Sequence, residues 1–224
     1  TGHALVLLAS LLSAQGKHEE AAATSTDAVA VRRLDPELVY LADALRVRSD
    51  ILLKAGHVDE AETAVRESIG IAERDGEEGE FLAWLRIDLA SLLLDKQRYA
   101  EARELLERSL EQLDTGSAER DLELRYALFR YAVATSDGGD DTAAIPIYHR
   151  VAEIEENSFG PMSPDVADTL FYLGKIYSQL GRHDDAISIF RRILQIREAN
   201  DPTMIETETV EALSWLGHAM LIAE

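Results

Sequence analysis

Residues 170–190 read Leu-Phe-Tyr-Leu-Gly-Lys-Ile-Tyr-Ser-Gln-Leu-Gly-Arg-His-Asp-Asp-Ala-Ile-Ser-Ile-Phe, and their spacing decides the fold. Leu170, Leu173, Tyr177 and Leu180 lie three and four residues apart, which puts them on one apolar face of a helix, A. Gly181 supplies the positive φ that closes it. Ala186, Ile189, Phe190 and Ile193 then give the inner face of a second helix, B. Upstream, Ser163-Pro164 makes a good start for helix A, with serine as the cap and proline in the first turn. Gly174 and Ala186 are small where the two helices must approach closely, so packing accounts for them.

The unit recurs along the chain. Ala21, Ala61, Ala102, Ala144 and Ala186 follow one another at intervals of 40, 41, 42 and 42 residues, each in the same setting. A fixed period of this size marks a solenoid of stacked units. The first copy has Leu5, Leu8, Ala9, Leu12 and Gly16, and the second has Leu45, Ser49, Leu52 and Gly56 behind an Asp35-Pro36 start. The third has Leu89, Ala90, Leu93 and Leu106, with Gln97 where a glycine is expected, and the fourth has Leu128, Tyr131, Ala132, Gly139 and Tyr148. Asp201-Pro202 opens a sixth copy, Leu213-x2-Leu216-Gly217-x2-Met220, which has no helix B before Glu224. The expected class is all-α: a right-handed solenoid of antiparallel pairs, eleven helices and no strands, in one domain. Its repeats fall at 2–35, 36–76, 77–117, 118–160, 161–200 and, as a half repeat, 201–224. A start at Thr1-Gly2 and a stop halfway through a repeat lead us to expect a fragment of a longer protein.

Composition narrows the function. The 224 residues are 46% hydrophobic and carry a formal charge of −20, which excludes disorder and sets the surface against nucleic-acid phosphates and anionic lipid. A basic or neutral polypeptide is the better partner, although the charge also serves plain solubility. There is no cysteine, hence no disulfide, thiol nucleophile or thiolate metal site, and a reducing, cytoplasmic compartment is the expectation. The apolar run Ala4–Ala9 has no basic stretch before it and belongs to the first repeat rather than to a signal peptide. No stretch approaches the roughly 18–20 apolar residues of a membrane span.

Chemistry finds no foothold. His18, His57 and His183 all fall at the A-to-B turn, but successive repeats stand roughly 10 Å apart, so their rings cannot share an ion. His3, His149 and His218 have no carboxylate or hydroxyl at a catalytic spacing. Asp137-Gly138-Gly139-Asp140-Asp141 lacks the glycine and glutamate of a calcium loop at their required places and reads as a solvated turn. The pairs Glu19-Glu20, Asp59-Glu60 and Asp184-Asp185 open B helices, where negative charge complements the helix dipole. No phosphate loop, nucleophile elbow or zinc motif occurs. We therefore expect no enzyme, no cofactor and no metal.

The pattern Leu-x2-Leu-Gly-x2-Tyr followed by Ala-x3-Phe resembles the tetratricopeptide repeat (TPR) family. The longer period and the run Gly160-Pro161-Met162-Ser163-Pro164-Asp165-Val166-Ala167-x2-Leu170 are similar to its kinesin-light-chain-type branch. Arg48 and Arg86 stand where motif leucines belong, so the resemblance weakens there. It implies that helix A of each repeat lines a concave face along which peptides lie. Carried over by position, that face holds Arg46 and Asp50, Ile87 and Ser91, Phe129 and Val133, Phe171 and Lys175, then Ser214 and His218. The stripe is polar first and aromatic later, which suits a peptide with one apolar anchor and a basic group. An equal alternative is that Phe129 and Phe171 pack against neighbouring helices as core residues. The asparagine pairs that grip a peptide backbone in that branch are replaced by Phe171-Tyr172 and Phe129-Arg130, and no carboxylate clamp of lysine and asparagine is visible. The leading expectation is a protein-interaction module. The alternative is a regulatory or sensor segment of a larger signalling protein, an ATPase, protease or transcription regulator. Oligomeric state is not written in the sequence.

Overall fold

A computed structural model of the chain describes residues 2–34, 37–77, 79–114, 121–200 and 207–223. These form eleven helices and no strand among the described residues. Two compact units divide the chain, Thr1–Gln112 and Leu113–Glu224. The first holds α1 (Gly2–Ala14), α2 (His18–Arg32), α3 (Leu38–Lys54), α4 (Val58–Arg74), α5 (Glu80–Asp95) and α6 (Tyr99–Leu113), whose last residue passes the division. The second holds α7 (Asp121–Asp137), α8 (Asp141–Phe159), α9 (Pro164–Gln179), α10 (His183–Asn200) and α11 (Thr207–Ala223). Odd-numbered helices are the A helices and even-numbered ones the B helices of successive pairs. The all-α class and the paired helices are as the sequence implies.

The A-to-B turn is built five times in the same way. The amide three residues past each helix end donates to a carbonyl five residues back: Lys17 to Leu12, His57 to Leu52, Arg98 to Leu93, Asp140 to Thr135 and Arg182 to Tyr177, all at 2.8–3.0 Å. Such a closure needs a left-handed residue before it. Gly16, Gly56, Gly139 and Gly181 take that place with φ between 71° and 93°, and Gln97 takes it at φ 58°. Ser163 caps α9 as expected, its Oγ accepting from the Asp165 amide at 3.3 Å. Asp140 does the same for α8 through the Ala143 amide at 3.1 Å, so the acidic run there is a turn and a cap. The starts at Asp35-Pro36 and Asp201-Pro202 lie outside the described residues.

All five repeat alanines are fully buried. Where the first repeats have serine in place of a small apolar residue, the hydroxyl stitches helix to helix. Ser49 donates to the Ala61 carbonyl (3.0 Å), Ser68 to that of Ala42 (2.7 Å) and Ser109 to that of Ala83 (3.1 Å). In the second unit the core is Tyr148, Leu170, Leu173, Phe190 and Ile193 with their neighbours. Leu180 departs from expectation: it is 41% exposed, because it follows the last helical turn of α9 instead of continuing its apolar face. The Gly160–Ser163 link is held down by α10, where Asn200 Nδ2 donates to the Met162 carbonyl at 2.8 Å.

Arg86 keeps the repeat in register even though it replaces a leucine. Its side chain is buried and donates to Glu73 at 3.0 Å and to Gln112 at 3.2 Å, which meets most of its polar demand. Arg48 donates to Thr26 and, at 3.4 Å, to Glu60. Buried Glu62 of α4 gathers Arg66, Lys96 and Arg98, so repeats two and three are joined by charge as well as by apolar contact.

Candidate partner-binding face

The A-helix face of the first unit is polar and acidic. Arg46 lies between Asp43 (3.4 Å) and Asp50 (3.5 Å), all three on consecutive turns of α3. Burial raises the Asp50 carboxyl above the usual aspartate range against the pull of Arg46 and Lys54. Asp88 of α5 feels the same arrangement: burial, with the Asp50 charge adding to it, pushes its pKa up to about 6. Ser91 donates its hydroxyl to the Ile87 carbonyl of its own helix at 3.0 Å. Ile87 itself is fully buried and presents nothing to a ligand; Asp88, the next residue, is partly exposed at this level. No feature of the sequence singled out Asp88.

The second unit carries an aromatic face. Phe129 of α7 meets Tyr148 and Tyr172 edge-on, with ring centroids 5.8 and 5.2 Å apart, and Tyr172 stacks on Tyr148 at 5.6 Å. Such offset and edge-on pairs are favoured by the ring quadrupoles. Tyr148 is fully buried, and desolvation raises its hydroxyl pKa well above the usual tyrosine value. Phe171 of α9 touches Phe190 edge-on at 6.2 Å, and Phe190 stacks on Trp215 of α11 at 6.4 Å. Phe129, Val133 and Phe171 are each half-buried, packed on the core with one side left open. Lys175 sits with Nζ 5.8 Å above the Phe171 ring, a cation–π contact.

The open sides converge. A cleft of about 430 Å³ is lined by Phe129, Ala167, Phe171, Tyr172 and Ile193, with Asp168, Arg197 and Glu211 around it. Asp168 and Arg197 form an ion pair across its edge. A smaller cleft of about 230 Å³ brings Ser214 and His218 together with Trp215. Of the residues expected on this face, Phe129 and Phe171 share the first cleft, and Ser214 and His218 share the second. Val133 packs against the core and lines neither cleft. Trp215 was not singled out from the sequence, and Tyr172 only as the replacement for a backbone-gripping asparagine, yet each lies beside an expected position on its helix.

The histidines show no shared site. His57 Nε2 lies 3.3 Å from Glu19 in the neighbouring turn, and His149 Nε2 lies 2.9 Å from the Tyr177 hydroxyl, a contact between repeats that sequence spacing could not show. Among the described residues no group of three or more His, Asp or Glu could hold a metal ion.

Family models for the tetratricopeptide repeat match residues 40–115 and 123–199, and a further one matches 2–24. No curated protein matches the chain. Among solved structures, the fold is similar to kinesin light chain nearly identical TPR-like repeats from Podosopora anserina, at TM-score 0.76 and 16% identity over 89% of this chain and 96% of that one. BtubC (BKLC) from P. vanneervenii gives 0.69 at 22% identity, over 92% and 84%. YrrB, described as a TPR protein with an unusual peptide-binding site, gives 0.63 at 19%, over 94% and 90%. At these identities the structures speak for the fold alone, but the repeat models cover well over half of the residues. With five identical A-to-B turns and five buried repeat alanines, this chain belongs to the tetratricopeptide repeat family.

Proposed function

We propose that the chain is a non-enzymatic protein-interaction module that holds a peptide or partner domain against its A helices. The observation that carries this reading is the cleft of about 430 Å³ in the second unit, whose aromatic floor is half-buried and still open. A pocket with an aromatic floor and a few charged groups at its edge is the usual form of an anchor site. Repeats of this family generally mediate contacts between proteins, and the peptide-binding site of YrrB shows that one protein of this fold takes a peptide. The charge of −20 favours a basic or neutral polypeptide over nucleic acid or an anionic membrane surface. No described helix is long and apolar enough to cross a bilayer. A cytoplasmic setting suits a chain without cysteine.

The test is affinity capture with this chain, followed by binding of the captured partner to wild type and to Phe171→Ala. Loss of about 1–2 kcal/mol or more, with the helical fold retained, supports the reading. Unchanged binding by Phe171→Ala would return that ring to a packing role.

A further inference from the structure

The cleft of the second unit is lined by the carboxylates of Asp168 and Glu211, and beside it Lys175 stands over the ring of Phe171, which also lines it. We propose that it selects a segment with a basic residue on one side of a bulky apolar side chain and an acidic group on the other. This rests on the reading that the cleft is the partner site, and it adds the chemistry of the partner.

Asp168, Phe171 and Lys175 follow one another along one face of α9, at spacings of three and four. Glu211, Trp215 and His218 do the same along α11 at spacings of four and three. Both are A helices flanking α10, so they run in the same direction, and their N-terminal ends meet at one end of the cleft. Asp168 and Glu211 both stand at that end. Asp168 is balanced by Arg197, whose side chain is only 12% exposed. Glu211 is exposed and has no ion pair among the described residues, so this end keeps a net negative charge. Lys175, about two turns further along α9, holds its ammonium 5.8 Å above the Phe171 ring and sets positive charge beside the cleft at that level.

Seven residues of helix separate the levels of Asp168 and Lys175, roughly 10 Å of rise. That is about one Debye length at physiological salt, so the two charges act on a ligand as separate poles and do not cancel. An extended peptide covers the distance in about three residues. The recognised pattern is therefore a basic residue, a bulky apolar residue one or two positions away, and an acidic residue as far again on the other side. The apolar side chain enters between Phe129, Phe171 and Tyr172. Charges at the edge of such a site set preference between ligands more than total affinity.

The test uses synthetic ten-residue peptides with one central tryptophan and three flank patterns: basic on one side and acidic on the other (made in both chain directions), both sides basic, and both sides acidic. The split pattern, in at least one direction, is expected to bind about three- to tenfold tighter than either uniform pattern. Glu211→Lys should move the preference to the all-acidic peptide, and Lys175→Glu should move it to the all-basic one. Thermal melts by circular dichroism verify that both surface variants fold. Equal binding of all patterns, lost when the tryptophan becomes alanine, would overturn the charge selection while leaving the anchor cleft intact. Binding indifferent to the tryptophan, or absent for every peptide, would overturn both.

Discussion

A Cβ built on Gly174 would stand 2.7 Å from Cζ of Phe190, so α9 and α10 meet backbone against ring at the centre of the fifth repeat. Phe190 is fully buried and cannot swing away without opening the core. Gly174→Ala is therefore expected to destabilise the protein by about 1–3 kcal/mol, the usual cost of overpacking. Gly217 fills the same motif place in α11, and a Cβ there meets nothing within 4 Å. Gly217→Ala should be stabilising by about 0.5–1 kcal/mol, since only helix propensity changes. Chemical denaturation of the two variants side by side checks both signs.

Gln97 pays for the regularity of the turns. It holds φ 58° where four other turns have glycine, and a side chain in that region is strained. Gln97→Gly should raise stability by about 1 kcal/mol. An unchanged or lowered denaturation midpoint would mean that the side chain supplies a compensating contact.

Leu173 and Ala186 are both fully buried between α9 and α10. Leu173→Ala should cost about 2–5 kcal/mol through lost burial and a cavity. Ala186→Leu should cost about 1–3 kcal/mol through crowding. Stability in stacked repeats is coupled through their interfaces, so hydrogen exchange should rise in the neighbouring pair as well. Melting like wild type in both variants would contradict this placement of the inner face.

Asp88 makes stability depend on pH in the direction opposite to an ion-paired carboxylate. Its pKa, about 6, lies above the value of 3.8 expected when unfolded, so the folded state holds the proton more tightly between those limits. Its contribution therefore grows more favourable as pH falls from about 7 to about 4. The raised pKa of Asp50 acts in the same sense. Asp88→Asn should stabilise the protein at pH 7 and flatten its stability profile across this window, which urea titrations at several pH values can measure.

How much of this was legible in advance depends on the kind of pattern. Turn and close-packing positions repeat with the period, so Gly181, Ala186 and even the odd Gln97 could be placed from spacing alone. Which side of a helix stays open is set by the neighbours, and α5 shows why that is harder. Leu82, Leu85, Ile87, Leu89, Leu92 and Leu93 are all buried and cover most of its circumference. Periodicity then has no polar side to point to, and Ile87 falls inward while Asp88 reaches the surface. On α9 the pattern is cleaner, and Phe171 emerges at the expected place. Its neighbour Tyr172, 38% exposed, shares the cleft because Phe129 and Tyr148 support it from other helices, a relation no single segment contains.

The claim that the A-helix face of the second unit is the binding surface is tested most directly by mapping backbone amide shifts while a captured partner segment is titrated into isotope-labelled protein. The account predicts that perturbations concentrate at Asp168–Lys175 of α9 and Ser214–His218 of α11, with Phe129 joining them. Perturbations confined to the exposed sides of α8 and α10, with α9 silent, would contradict it.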